Sequence, residues 1–246
     1  MLRSDQCEFY RENGYLVVEG LFTAQDCDRI QAVIRRHADP DFAAIMNPDR
    51  EEFLLRQSPE ATRPFGAETA SFLRGVMKDA RAVAVLEQLQ GRPVVGLMSQ
   101  MLFKEAGSRY ADQAWRPHQD NTYPRNPNGQ YITTNLFLES ADRDNGTMYV
   151  YPGSHREPLL EAPPVISYRE SDGRPGNPVA VPPQYEEVCV NFGKGDLLVL
   201  HGNLIHGSHP NLSATRSRPL LSMSYISEGE EFVPGATAQR MVIPLR

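Results

Sequence analysis

At Pro93 the character of the chain changes, and that change limits the fold more than any other feature of its 246 residues. Before it, apolar residues recur at helical spacing. After it they come in runs of strand length: Val94 to Phe103, Tyr131 to Glu139, Thr147 to Tyr151, Glu187 to Asn191, Asp196 to Leu200 and Leu220 to Ile226. Turn signals at Asp144-Asn-Gly146, Tyr151-Pro-Gly153, Gly173-Arg-Pro-Gly176 and Gly193-Lys-Gly195 separate these runs. Short, punctuated strands bury their apolar faces by packing sheet on sheet, so the expected fold is mainly β with flanking helices, a jelly roll.

The helical part, about 1–92, reads as cover for one outer face of that core, about 93–246, in a single domain. Ser4 to Asn13 reads as a helix with Ser4 as N-cap, stopped by Gly14 before the β-rich run Tyr15 to Leu21. A second helix starts at Thr23, with Asp26 and Asp28 in its first turn, Arg35, Arg36 and His37 in its last, and Cys27, Ile30, Val33 and Ile34 on one face. From Ala67 to Leu89 the spacing predicts helix broken once, closed by Gly91-Arg-Pro93. Glu161 to Pro183, rich in proline, is too long for a hairpin loop and reads as a lid or a surface excursion.

No apolar run approaches the roughly 20 residues of a membrane span, and the N-terminus has no secretory pattern, so a cytoplasmic protein is expected. Without such a signal the patterns Asn145-Gly-Thr and Asn211-Leu-Ser carry no glycosylation reading. Cys7, Cys27 and Cys189 are odd in number and form no C-x-x-C, which argues for packed, reduced thiols. A net charge of −6 and the lack of a basic block give no footprint for nucleic acid or an anionic membrane. A small-molecule substrate is the better expectation.

The chemistry concentrates in Pro117-His118-Gln119-Asp120 and a distant His206. A chain with six histidines carries a His-x-Asp by accident in roughly one case in three, so the tripeptide depends on its setting. On an extended segment His118 and Asp120 point to one face while Gln119 points away. His206 lies just past the run Asp196 to Leu200, so that run as a neighbouring strand can bring it to the same mouth. Two imidazoles and one carboxylate suit Fe(II), Mn(II) or Zn(II), form the facial triad of non-haem iron oxygenases, and leave coordination positions open. In an oxygenase those positions take a 2-oxo acid and O2; in a hydrolase they hold an activated water. A 2-oxoglutarate co-substrate needs a buried cation for its distal carboxylate, and Arg218, at the head of an apolar run, is the candidate, with Arg216 its rival.

In four ordered motifs the chain resembles the phytanoyl-CoA dioxygenase family of Fe(II)/2-oxoglutarate-dependent oxygenases. These are Phe9-Tyr-Arg-Glu-Asn-Gly-Tyr-Leu-Val-Val-Glu-Gly-Leu-Phe22, the Pro117-His118-Gln-Asp120 box, Asn145-Gly-Thr-Met-Tyr-Val-Tyr-Pro-Gly-Ser-His155, and Lys194-Gly-Asp-Leu through His206-Gly-Ser-His-Pro-Asn211. The resemblance implies a double-stranded β-helix of cupin-like form, with iron on His118, Asp120 and His206 and the distal carboxylate of 2-oxoglutarate on Arg218. It also implies a co-substrate contact for Ser208. Arg218 stands one residue later than the commonest family spacing, and Asn135 stands where several relatives carry Trp, so that its carboxamide is a candidate co-substrate ligand. Halogenating relatives replace the carboxylate that Asp120 supplies here, which favours hydroxylation. The implied reaction couples decarboxylation of 2-oxoglutarate to succinate and CO2 with oxidation of the substrate by O2.

Blander readings stand beside these. His201 is a rival ligand or a packed neighbour of the site, His155 and His209 read as surface or loop residues, and Trp115 as core or pocket wall. Lys104 and Arg109 read as solvated loop residues or as partners of an anionic substrate. The competing functions are a non-catalytic jelly-roll module that binds metal or ligand, and a zinc hydrolase, which lacks a nearby candidate for a general base.

Overall fold

Two caps and a break shape the helical part. In the computed structural model α1 (Ser4–Asn13) is preceded by Arg3 as N-cap, so Ser4 is the first helical residue and not the cap; Gln6 Oε1 instead accepts from the Arg3 amide at 3.0 Å. Gly14, at φ 78°, ends the helix by donating to Tyr10 O and turns the chain into β1 (Tyr15–Val18). Thr23 caps α2 (Ala24–Ile34): its Oγ1 accepts from the Asp26 amide at 3.1 Å and Asp26 Oδ2 accepts from the Thr23 amide at 3.0 Å. Arg35, Arg36 and His37 lie just past that helix rather than in its last turn.

The structure describes residues 1–37, 44–47, 52–55, 62–108, 110–162, 178–235 and 240–246, with only the backbone course of 44–47, 52–55 and 62–63. Arg109, the turn Gly173 to Gly176 and most of the expected lid, 163–177, lie outside the described residues. Three short strands, β2 (Ala44–Asn47), β3 (Glu52–Leu55) and β4 (Thr62–Pro64), interrupt what reads in sequence as a helical region. The predicted broken helix is α3 (Gly66–Met77) and α4 (Ala80–Gln90), and Asp79 caps the second at the break.

The strand-rich part follows as β5 (Val94–Lys104), β6 (Trp115–Gln119), β7 (Tyr131–Phe137), β8 (Met148–Val150), β9 (Val188–Cys189), β10 (Leu197–His201), β11 (Ile205–Ser208) and β12 (Arg218–Ser227). They form two antiparallel sheets, one of eight strands in the order β1-β10-β7-β12-β5-β2-β3-β4 and one of four in the order β6-β11-β8-β9. This is the expected double-stranded β-helix.

Alternation along β10 shows why the large sheet is buried on both faces. Leu197 and Val199 join Met101, Leu221, Met223 and Tyr225 against Cys27, Ile30, Ile34, Leu73, Met77 and Leu86 of the helices. Leu198 and Leu200 face the other way, into a cluster with Leu102, Phe137, Leu220, Trp115, Met148 and Val150. The second cluster fills the space between the sheets. Polar side chains directed into that space are the ones that require an explanation.

Candidate metal and co-substrate site

His118 sits on β6 and His206 is its register partner on β11, so the two imidazoles lie side by side with ring centroids 4.4 Å apart. Asp120 is not on the same strand as expected. It opens a 3-10 turn, Asp120–Thr122, and that turn swings its carboxylate toward both rings, 3.5 Å from His118 Nε2 and 3.7 Å from His206 Nε2. All three side chains present a ligand atom within 4.8 Å of the others. His118 Nδ1 is 2.7 Å from Arg116 O and His206 Nδ1 is 3.0 Å from Leu204 O, so each Nδ1 carries a proton toward a carbonyl and each Nε2 is turned toward the shared centre. Thr133, on β7, donates to Asp120 Oδ2 at 2.9 Å and fixes the carboxylate from the opposite sheet.

Burial drives the His206 pKa down to about 4 against the attraction of Asp120, so the ring is neutral and competent to bind a metal at neutral pH. Burial of Asp120 acts to raise its pKa, but the imidazoles of His206 and His118 and the Thr133 hydroxyl outweigh it and hold the carboxyl well below the usual carboxylate range. The donor set therefore fits a divalent cation: two imidazole nitrogens and one carboxylate oxygen, converging on one point.

A second constellation lies along the barrel interior. Arg218, the first residue of β12, is 0 % exposed; its Nε donates to Gly146 O at 3.0 Å, while Nη1 and Nη2 are buried with no partner. Its register partner is Lys104, also 0 % exposed, whose Nζ donates to Ser208 Oγ at 2.8 Å and to His209 O. Among the described residues no carboxylate neutralises this pair. Burial lowers the Arg218 pKa to about 10 and, with the charge of Arg218, pulls that of Lys104 well below its ordinary value. Two adjacent buried cations with free guanidinium nitrogens form a socket for an anion, and the fork of Arg218 matches a carboxylate.

Lys104 thus corrects the solvated-loop reading: it ends β5 and faces inward with Leu102. Arg216, the rival of Arg218, is exposed and paired with Asp142 through Nη1 at 2.7 Å and Nη2 at 2.8 Å. Asn145-Gly146-Thr147 and Asn211 hold the socket's frame, with Asn211 Nδ2 donating to both Lys104 O and Arg216 O at 2.8 Å. Asn135 is buried on the inward face of β7, two positions from Thr133 and opposite Ser222 of β12. Trp115 is both core and wall: its Nε1 donates to Tyr110 Oη at 3.0 Å and its ring centroid lies 5.6 Å from that of His118. His201 ends β10 facing outward, accepts at Nδ1 from the Asn203 amide at 3.1 Å, and stands apart from the triad beside His155. His155 and His209 are on non-strand segments but are only partly exposed. Thr133 escaped sequence reasoning, and Lys104 was read only as a solvated loop residue or a partner of an anionic substrate. The signal for both was strand parity, since Lys104 shares a face with Leu102 and Thr133 with Asn135.

A family model described as phytanoyl-CoA dioxygenase matches residues 10–220. The chain is 32% identical over 289 residues to "Phytanoyl-CoA dioxygenase" of Arabidopsis thaliana, covering 99% of this chain and 95% of that protein. It is 27% identical over 273 residues to "Phytanoyl-CoA dioxygenase 1" of Oryza sativa subsp. japonica, with 99% and 96% covered. Among solved structures, the epimerase SnoN in complex with Fe3+, alpha ketoglutarate and nogalamycin RO superposes with a TM-score of 0.71 at 21% identity, over 98% of this chain and 94% of that one.

Proposed function

The chain belongs to the phytanoyl-CoA dioxygenase family and is an Fe(II)- and 2-oxoglutarate-dependent dioxygenase; from that premise we propose that it hydroxylates a small-molecule substrate, with Fe(II) on His118, Asp120 and His206 and 2-oxoglutarate on Arg218. The observation that carries this reading is the buried Arg218 guanidinium, whose two terminal nitrogens lack partners in the same barrel that gathers the three ligand side chains.

When bound, Fe(II) with 2-oxoglutarate and O2 supplies the oxidising chemistry, releasing succinate and CO2. The protein's share is placement. Backbone carbonyls at Arg116 and Leu204 lock both imidazoles, and Thr133 keeps Asp120 from turning away. Arg218 and Lys104 compensate the distal carboxylate of the co-substrate, with Ser208 bonded to Lys104 at the same end. Asn135 lies on the inward face between the socket and the triad, where its carboxamide would meet the chain of a bound co-substrate. The presence of Asp120 supports hydroxylation over halogenation, because its carboxylate takes the position a halide would need.

Anaerobic protein given Fe(II) and 2-oxoglutarate is expected to develop a weak visible charge-transfer band. His118→Ala should abolish it, and Arg218→Met should shift its appearance to much higher 2-oxoglutarate concentration. Substrate-stimulated succinate formation in air then tests turnover. Well-folded, metal-loaded protein that shows neither band nor succinate would sink the proposal.

A further inference from the structure

Arg240 lies beyond residue 220, where the family match ends, yet the chain carries it back to the barrel. Ile243 N donates to Gly96 O at 2.8 Å and Gly96 N to Ile243 O at 3.0 Å, which stitches the C-terminal segment to the start of β5. Val233 N donates to Pro124 O at 2.6 Å, joining the stretch before it to the chain just after Asp120. Arg240 is consequently 8 % exposed, with its guanidinium carbon 5.8 Å from the centroid of the Tyr123 ring, and its own amide bonded to Pro234 O at 2.8 Å. The Tyr131 phenol, buried at the head of β7, has Arg240 and Ser224 beside it and lies within electrostatic reach of Asp120.

The guanidinium has no acid to answer it. Its Nε is buried without a hydrogen-bond partner, and among the described residues no carboxylate forms an ion pair with it. The side chain's hydrogen-bond partner is the neutral Tyr131 phenol, and a buried cation without a counter-ion is unfavourable unless something outside the chain completes it. Its position says what that is. Arg218 and Lys104 pair across one end of β12 and β5, whereas Tyr131 pairs with Ile226 near the other end of β12. Thr133, which holds Asp120, pairs with Ser224 between them. The metal ligands therefore stand between two cationic poles, and only one pole is needed for the co-substrate.

We propose that Arg240 binds an anionic group of the primary substrate, a carboxylate or a phosphoryl group, and so selects anionic small molecules; this rests on the hydroxylase reading above. Tyr123 packs against the guanidinium, and the unpartnered Nε is left to donate a charge-assisted hydrogen bond to that anion. The reacting carbon then points from that anchor toward the triad.

The test fills the first pole before probing the second. Anaerobic protein holding Mn(II) and saturating 2-oxoglutarate is titrated calorimetrically with matched sets: aliphatic carboxylates, phosphomonoesters, and the methyl esters or amides of the same skeletons. The two anionic arms decide between carboxylate and phosphoryl. The best binders are then assayed for succinate formation in the Fe(II) enzyme. Binding is expected in an anionic arm and not among the neutral partners. Arg240→Gln should raise Kd and KM roughly 10- to 100-fold, with kcat changed much less, Arg240→Lys should fall between, and 2-oxoglutarate affinity should stay as in the wild type. Neutral analogues that bind as well as the anions, anions that bind in neither arm, or an Arg240→Gln protein with unchanged Kd overturn the proposal. If Arg240→Gln does not fold, Arg240→Lys and the matched neutral ligands still decide. Wild-type protein that takes up no 2-oxoglutarate defeats the hydroxylase reading instead, and that result is visible before any second anion is added.

Discussion

Arg218 works against the stability of the molecule that carries it. A fully buried guanidinium with two unsatisfied nitrogens, set beside a buried lysine, carries a desolvation penalty that the ligand-free fold leaves uncompensated. Arg218→Met should therefore stabilise the ligand-free protein by about 1–3 kcal/mol in denaturant unfolding. The same variant should lose the stabilisation that 2-oxoglutarate gives the wild type. Loss of stability in ligand-free Arg218→Met would show that the guanidinium already has compensation. Thr133 is the quieter counterpart: Thr133→Val keeps the volume, removes the 2.9 Å bond to Asp120, and should weaken metal binding roughly 10- to 100-fold, read by competition with a chelator. Sequence singled out Arg218, with Arg216 as its rival, but burial decides between them, and burial follows from which strand face each occupies. The burial of Lys104 was missed for the same reason: the lysine reads in sequence as solvated or as a partner of an anionic substrate, and its parity with Leu102 gains meaning only once the sheet closes over it.

At the scale of elements, β11 carries the most function on the least chain. It pairs with β6 at His206 and His118, with β8 at Val150, and its register shifts between His206 and Ser208. Gly207 makes this possible: a Cβ there would lie 2.3 Å from Tyr149 Oη and 2.5 Å from Trp115 O, the first at the end of a buried ring and the second on fixed backbone. Gly207→Ala should cost roughly 3 kcal/mol, the upper end for overpacking, and weaken metal affinity by displacing His206. Thermal melting with and without metal reads both, and an alanine variant with wild-type stability and affinity would show that β11 has room to give. This strand was not legible as one, since Ile205-His206-Gly207-Ser208 lacks the apolar alternation that marks strands; a ligand, a glycine and a serine occupy the places where packing would have left a pattern. Asp120 shows the same limit. Its spacing from His118 was plain, but the 3-10 turn that aims it depends on contacts such as Asn121 N to Gly202 O, 2.8 Å, that join distant parts of the chain. The long strands β5, β7 and β12 were legible within a few residues because apolar, aromatic and β-branched residues concentrate along them at strand length.

For the whole molecule, the interior histidines couple folding to pH. Burial lowers His206 and His201 to about 4, and it also lowers His155 and His209, while an exposed histidine in the unfolded chain titrates near its ordinary value of about 6.5. Between those limits the unfolded chain binds more protons than the folded one, so stability must fall as pH falls through the window from about 6.5 to about 4. Each of the two most strongly shifted rings contributes a loss of up to roughly 3 kcal/mol by the bottom of it. Asp120 acts in the same sense but at lower pH: its lowered carboxyl contributes stability that is present above the unfolded carboxylate range and is lost as pH falls below it, outside this window. Metal adds to the effect, because it binds neutral His206 and competes with the proton, so acid strips the ion as it weakens the fold. In metal-free protein the urea midpoint should decline steadily from pH 6.5 to 4.5. His201→Asn, which keeps an acceptor for the Asn203 amide and removes a titrating ring remote from the triad, should flatten that decline by its own share and leave the remainder to His206, His155 and His209. A midpoint that holds constant or rises on acidification would mean that these rings are protonated inside the fold, and that the neutral imidazoles required for metal binding are not what burial produces.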